Sequence, residues 1–587
     1  MDSEGISDRE GGGTENQRIR WQKLEPRVLS GAQAIVQALI LEGVETIFGY
    51  PGGAIMPFYD ALFDAKDKIR HVLVRHEQGA AHAAEGYART SGKVGVCVAT
   101  SGPGATNLVT GIADAMMDSV PLVCITGQVN SWALGSDAFQ ETDIIGITIP
   151  ITKWNYQITS AVEIPEILAK AFCIAKSGRP GPVLVDITKD AMMALLDLDE
   201  LKVNTFTPRV TSTLSSEDLA EAAALINGAR KPYMLIGHGV ALSNCAAEVL
   251  QLAEKADIPV ASTLHGLSAV PTGHSLFVGM LGMHGNYGPN VLANNADVVM
   301  GVGLRFDDRV TSDASTYVNK AKIIHIEIDP SQVGKSVKAD VAIIADAKQA
   351  LAALLPMVHE AKHPLWREEF SKCQSVEHDN VISQAVNPHS SLPLHMSEVV
   401  NVLSECSAGE ALVVADVGQH QMMTARYYKF SRPRSFISSG GLGTMGFALP
   451  AAIGAKIANP DREVVAIIGD GGFQMNIQEL ATIAQEGLGV KVLVLNNSYL
   501  GMVRQWQELF FERRYSFVQL KNPDFVGICR AYGIEGRRIA ERSELVNGIE
   551  ALLSAKGPYL LEAVVECEEN VFPMVPAGAS VQQMRLK

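Results

Sequence analysis

Asp470 is followed at once by two glycines in "VVAIIGDGGFQMN" (residues 464–476), and 27 residues after it Asn497 closes the amide pair of "VKVLVLNNS". The apolar run before Asp470 reads as a buried strand, so the acid stands at a strand's carboxyl end. Read alone, Gly471 and Gly472 make a turn and Asp470 caps a helix. The spacing adds a second reading. One helix ("FQMNIQELATIAQEGLG") and one strand fit between Asp470 and Asn497, and in a parallel sheet that return brings both to one edge. Two oxygen donors carrying little charge suit Mg²⁺ shared with phosphate oxygens. Gly471 and Gly472 would let backbone N–H groups approach that phosphate, and the next helix would point its positive end there. A third candidate is Glu77 in "VRHEQGAAHAAEGYAR" (residues 74–89), where the strand-like "HVLVRHE" meets a helix of small residues. By itself, a carboxyl there is a solvated or capping group.

The elements that must position these groups follow one rhythm: a short β-branched run, a glycine turn, a helical pattern. "PLVCITGQ", "GPVLVDITKD", "YMLIGHGV", "KIIHIEIDP" and "ALVVADVG" are further instances. Buried runs separated by helices predict parallel sheets of βαβ units, whose ligands sit at the strands' carboxyl ends. The rhythm lapses at residues 190–214 and at 371–395, which read as linkers. The chain then divides into 27–190, 212–365 and 390–575, each an α/β domain with a doubly wound parallel sheet.

The 587 residues suit roughly three or four domains. A net charge of -15 disfavours nucleic acid and acidic membrane surfaces as partners. Eight scattered cysteines with no CxxC pair argue against zinc and disulfide frameworks and suit a cytoplasmic protein. Residues 1–26 are polar, acidic and without an apolar stretch, so a disordered tail is expected rather than a targeting signal. No apolar segment has the length of a membrane span.

Two phosphate-loop patterns are false leads. "IDPSQVGKS" (residues 328–336) has Asp329 where a Walker A loop needs glycine, and reads as a turn and a helix start. "GLGTMG" (residues 441–446) matches GxGxxG, but no convincing ribose-binding acid follows on the next strand.

The Asp470–Asn497 pair resembles the GDG and NN signature of thiamine-diphosphate enzymes. That resemblance implies Mg²⁺ held by Asp470, Asn497 and the backbone carbonyl of Tyr499. It places Val417, Gly418, Gln419, His420, Gly443, Gly471, Gly472 and Met475 around the cofactor. Glu77 matches the glutamate that hydrogen-bonds N1′ of the aminopyrimidine and favours the 4′-imino form, the base beside the thiazolium C2–H. Met445 matches the bulky residue that keeps the cofactor folded; a core-filling methionine is the plainer reading.

From about residue 27 to residue 580 the chain resembles the catalytic subunits of the acetohydroxyacid synthase (acetolactate synthase) family. Among ten matching stretches in order are "FGYPGGAIMPFYDAL", "SDAFQETDI", "RFDDRV", "LGMVRQWQELFFERRY" and "VFPMVPAGAS". The family joins the hydroxyethyl unit of pyruvate to a second pyruvate or to 2-oxobutyrate, in branched-chain amino-acid synthesis. The resemblance implies a pyrimidine-binding first domain, an FAD-binding middle domain and a diphosphate-binding third domain. Gly53, Phe139 and Gln140 would line the reacting centre with Glu77. Arg309, Trp506 and Lys189 would meet the substrate. Arg179, His284, Arg305, Glu327 and Asp346 would bind FAD, and Glu327 also stands at a strand end suited to a ribose. Without the family, Arg309 reads as a surface ion pair with Asp307 or Asp308, and Trp506 as a core aromatic. A homodimer or homotetramer is expected, with the first domain of one chain and the third of another forming each site, plus a small regulatory subunit. "DITKDA", His238 and His265 depart from the family pattern. Pyruvate oxidases and simple 2-oxo acid decarboxylases are the alternatives, as is a non-catalytic scaffold of the same fold. The scaffold would be expected to have lost Glu77, Asp470 or Asn497.

Overall fold

A computed structural model describes residues 21, 24–199, 201, 206, 214–389 and 392–587. The expected tail therefore lies almost wholly outside the described residues, as does much of the first expected linker. Contacts divide the chain into two compact units, Met1–Ala88 with Lys93–Arg209, and Arg89–Gly92 with Val210–Lys587.

The first unit is built on a six-stranded parallel sheet in the order Arg70–Leu73, Thr46–Gly49, Gly95–Ala99, Leu122–Gln128, Pro182–Thr188, Trp154–Ile158. Leu122–Gln128 and Pro182–Thr188 are buried at every position, as central strands covered by helices on both faces must be. Each Val, Ile or Leu side chain so placed contributes about 1.5–3 kcal/mol by burial.

The second unit holds two more six-stranded parallel sheets. The middle one runs Phe277–Met280, Val260–Ser262, Pro232–Ile236, Val298–Val302, Lys322–Glu327, Val341–Ile344. The last runs Phe436–Ser438, Leu412–Ala415, Val464–Gly469, Val490–Asn496, Tyr559–Val564, Glu535–Ile539. In all three sheets the order reverses along the chain, the mark of double winding, and such reversals open crevices at the carboxyl ends of strands.

Both expected linkers contain structure. Leu195–Asp197 pairs antiparallel with Val28–Ser30, tying the end of the first domain to its start. Pro364–Glu377 is a helix that continues through His378–Ile382 and Ser383–Val386. Its largest apolar anchors, Trp366 and Phe370, precede the polar stretch; within it Glu377, buried, pairs with Arg426 and accepts from Asn286 Nδ2 at 2.9 Å and Tyr287 N at 2.7 Å. Val381 is buried as well, and Ile382, Ala385 and Val386 pack against the last domain's core.

"IDPSQVGKS" is a turn and a short 3₁₀ segment, Pro330–Gln332, capped by Asp329 through Ser331 N. The "GLGTMG" loop is filled from within: Gly446 N and Phe447 N donate to the Asp416 carboxylate at 3.0 and 3.1 Å.

Candidate active site

Val464–Gly469 and Val490–Asn496 pair in parallel with Gly469 opposite Leu495, so Asp470 and Asn497 emerge together at one edge of the last sheet. The expected helix after the glycines is broken: Asp470–Met475 begins at the acid itself, and Ile477–Glu479 and Leu480–Glu486 follow. Gly471 and Gly472 are therefore the first turn of a helix rather than a separate turn. Asp470 is 1% exposed, and Asn522 Nδ2 donates to its Oδ2 at 2.7 Å. Burial lifts the Asp470 carboxyl to about 6, against the Asn522 hydrogen bond, which favours the charge. Asn497 is also buried, and its Oδ1 accepts from Tyr499 N at 3.1 Å.

Asp470 and Asn497 border an opening also lined by Val417, Gly418, Gln419, His420, Met445, Gly471, Gly472 and Tyr499. Met445 is half-buried there, which disfavours simple core filling. Burial holds His420 near 3, hence neutral, and its enclosed Nε2 has no hydrogen-bond partner among the described residues. Oxygen donors and paired glycines around one opening fit a metal-bound diphosphate. Gly443, at φ +73, and Met475, 52% exposed, do not line it.

Sequence reasoning passed over three groups here. Asp416 ends an apolar run, "ALVVAD", just as Asp470 does; burial raises it to about 6 while backbone amides of 446 and 447 oppose the rise. Its strand-end position was a usable signal. Asn522 and Gln505 carried none, since each reaches the site across a long sequence separation.

In the first unit, Glu77 opens the helix Glu77–Ser91 and its Oε2 accepts from Asn107 Nδ2 at 2.9 Å. Gly53 is exposed, and a Cβ there would meet nothing within 4 Å. Phe139 is 87% exposed, beside Gln140 in the left-handed region at φ +61. Lys189 starts the short helix Lys189–Met193. Arg179 belongs to this unit, where its Nε donates to Ser119 Oγ at 2.7 Å.

At the middle sheet, Glu327 ends its strand, buried, and accepts from Asp329 N at 3.1 Å. Among the described residues the enclosed Nδ1 of His284 has no hydrogen-bond partner, and burial with nearby Arg426 and Arg309 lowers the ring to about 4. Ser262 Oγ, at another strand's carboxyl end, is likewise buried and without a hydrogen-bond partner among the described residues. These groups fit a polar ligand such as FAD. Asp346 is largely committed elsewhere: it caps Ala347–Leu354 and accepts from Ser243 Oγ at 2.7 Å. Arg305 lies 3.5 Å from Asp307. Arg309 sits on the surface 3.6 Å from Asp308, and its Nη1 meets Met283 Sδ at 3.3 Å. Trp506, on Gly501–Phe510, is half-buried against Phe510 with ring centres 5.1 Å apart, so it is not a core aromatic.

Comparison with known proteins agrees with this architecture. Residues 29–147, 219–354 and 416–563 match the N-terminal TPP binding, central and C-terminal TPP binding domains of thiamine pyrophosphate enzymes. Over 558 residues the chain is 44% identical to the acetolactate synthase isozyme 2 large subunit of Escherichia coli, covering 95% of this chain and 99% of that protein. The chain belongs to the acetolactate synthase family. An acetolactate synthase of Mycobacterium bovis is 46% identical over 569 residues, covering 95% of this chain and 91% of that protein. The large subunit from Lactococcus lactis is 43% identical over 565 residues, covering 96% and 97%. As a member of the acetolactate synthase family, this chain is a thiamine-diphosphate enzyme that forms carbon–carbon bonds in branched-chain amino-acid biosynthesis. Among the described residues no helix is long and apolar enough to cross a membrane.

Proposed function

We propose that this chain is the catalytic subunit that decarboxylates pyruvate and joins the remaining two carbons to a second pyruvate or to 2-oxobutyrate, giving 2-acetolactate or 2-aceto-2-hydroxybutyrate. The observation that carries the site is the parallel register that delivers Asp470 and Asn497 to one edge, around an opening lined by Met445. Asp470, Asn497 and the Tyr499 carbonyl would hold Mg²⁺. Val417, Gly418, Gln419, His420, Gly443, Gly471, Gly472 and Met475 would surround thiamine diphosphate, with Met445 supporting its ring. When bound, thiamine diphosphate supplies a carbon nucleophile and an electron sink.

Glu77 would hold and exchange a proton at N1′ of the pyrimidine, with Asn107 fixing the carboxylate. Gly53, Phe139 and Gln140 would border the reacting carbon and keep water from it. Arg309 would pair with the acceptor carboxylate through its planar fork. Trp506 would pack on the acceptor's alkyl group, and Lys189 would lie near the substrate. His284, Arg305, Glu327, Asp346 and Arg179 would bind FAD; the unsatisfied His284 Nδ1 supports that reading, and the cap role of Asp346 weakens its share.

In this reading the chain works as a homodimer or higher assembly with a small regulatory subunit, and its domains span 27–190, 212–365 and 390–575. The relatives' name "large subunit" supports the small partner. Trp132 and Phe139, 80% and 87% exposed, support a surface covered by another copy. Incubation with pyruvate, thiamine diphosphate, Mg²⁺ and FAD should yield acetolactate. Acetaldehyde or acetyl phosphate as the sole product would overturn the assignment, and a fully active monomer in sedimentation would overturn the shared site.

A further inference from the structure

Three buried side-chain amides form a chain in the last domain. Gln505, 1% exposed, pairs with the peptide group of Val571: its Oε1 accepts from Val571 N at 2.9 Å and its Nε2 donates to Val571 O at 3.3 Å. A peptide offers one donor and one acceptor, so this two-point contact determines which end of Gln505 is oxygen. The same Oε1 accepts from Gln419 Nε2 at 3.0 Å, and the second Gln419 proton goes to Glu569 O at 2.8 Å. Gln419 must then turn its oxygen toward Asn497, whose Nδ2 donates to it at 3.4 Å. Asn497 is left with Oδ1 oriented by Tyr499 N at 3.1 Å.

The polarity of each amide thus follows from the one before it, and the first is set by backbone. Reversing Gln419 would set its oxygen against Glu569 O and its NH₂ group against Asn497 Nδ2. A reversed Asn497 would turn an NH₂ group, which has no free lone pair, toward the cation. Gln505 sits beside Trp506 on Gly501–Phe510, and Arg504 Nη2 donates to Asn570 Oδ1 at 2.7 Å, so the helix is docked on residues 570–571 by two neighbouring side chains.

We propose that Gln505 is a positioning residue for the metal site: through Gln419 it orients the Asn497 oxygen, and it makes that orientation depend on the docking of the Trp506 helix against residues 569–571. The inference rests on the reading of Asp470 and Asn497 as Mg²⁺ ligands. Its test is the Mg²⁺ concentration that half-saturates thiamine diphosphate binding, read without pyruvate from the ligand-induced rise in Tm and from tryptophan fluorescence. Loss of an outer partner of a metal ligand lowers affinity about 10- to 100-fold, so Gln505→Met should raise that concentration at least about tenfold, read well below an unliganded Tm that itself falls because Val571 N–H and C=O lose their buried partner. Gln505→Glu, kept protonated by burial, still accepts from Val571 N and Gln419 Nε2 through one oxygen and donates its O–H to Val571 O, and should restore it to within about threefold of the parent. If Gln505→Met does not fold, Gln419→Met interrupts the relay one amide nearer the metal and should give the same rise in the Mg²⁺ requirement at saturating thiamine diphosphate, where a lost direct contact to the cofactor no longer contributes. A requirement within about twofold of the parent in these Met variants, or Gln505→Glu as weak as Gln505→Met, overturns the relay. Asp470→Asn is measured alongside: if it binds Mg²⁺ like the parent, the metal reading has failed and the relay with it, whereas a change confined to Asp470→Asn overturns the relay alone.

Discussion

The two glycines after Asp470 look alike in sequence but differ in what a methyl group would meet. A Cβ on Gly472 would lie 1.9 Å from Asp416 Oδ2 and 3.0 Å from its Cγ. Ordinary contact needs about 3.4 Å, so a displacement of more than about 1 Å is required. Asp416 cannot swing aside, because it is fully buried and its carboxylate takes Gly446 N at 3.0 Å and Phe447 N at 3.1 Å. Overpacking alone costs about 1–3 kcal/mol. Breaking one hydrogen bond to an ionised group adds about 1.5–3 kcal/mol. Gly472→Ala should therefore cost about 2.5–6 kcal/mol. At about 2–4 °C per kcal/mol this lowers Tm by about 5 °C or more. A Cβ on Gly471 would instead meet Leu500 Cδ2 at 2.8 Å, Leu520 Cδ1 at 3.3 Å and Met445 Cε at 3.6 Å, all ends of side chains that can turn. Gly471→Ala should cost no more than about 1 kcal/mol in the protein without cofactor, yet weaken thiamine diphosphate binding by narrowing the opening. The assay is thermal unfolding of both variants, with and without thiamine diphosphate and Mg²⁺. Equal unliganded Tm values for the two variants would refute the reasoning.

Glu77→Gln should bind the cofactor yet turn over about 10²-fold slower or worse in steady-state assays, and Asn107→Ala, which frees the carboxylate from its 2.9 Å partner, should fall between it and the parent. Asp186 is held by burial near 6, above its unfolded 3.8, despite donors from Thr126, Gln157 and Gln128. The folded chain therefore binds this proton more tightly than the unfolded one; the contribution is full below about 3.8 and is lost as pH rises through about 6. Asp186→Asn should gain on the parent by about 3 kcal/mol across that window in paired Tm–pH profiles, and parallel profiles would contradict it. Trp506→Leu should shift the product ratio in pyruvate and 2-oxobutyrate competition by about tenfold, corresponding to roughly 1–3 kcal/mol of lost packing, with little change in pyruvate decarboxylation.

Much of the fold was legible because buried parallel strands announce themselves as continuous apolar runs. Val464–Gly469 and Val490–Asn496 are buried throughout and were bounded by glycine, acid and amide. The polar helix after residue 371 was not legible, since its burial depends in part on Glu377 meeting Arg426 and Asn286 far along the chain.

The sequence by itself determined the alternation of strand and helix, and with it the return of Asn497 to the edge that carries Asp470, because a helix and a strand of those lengths in a parallel sheet close on the same side. Only the tertiary structure decided which glycine is sterically necessary, where Asp416 spends its acceptors, and how the backbone of Val571 reaches Asn497 through Gln505 and Gln419. Those are contacts between residues 30 to 86 positions apart, and a hydrogen bond has direction as well as partners. Spacing along the chain carries neither.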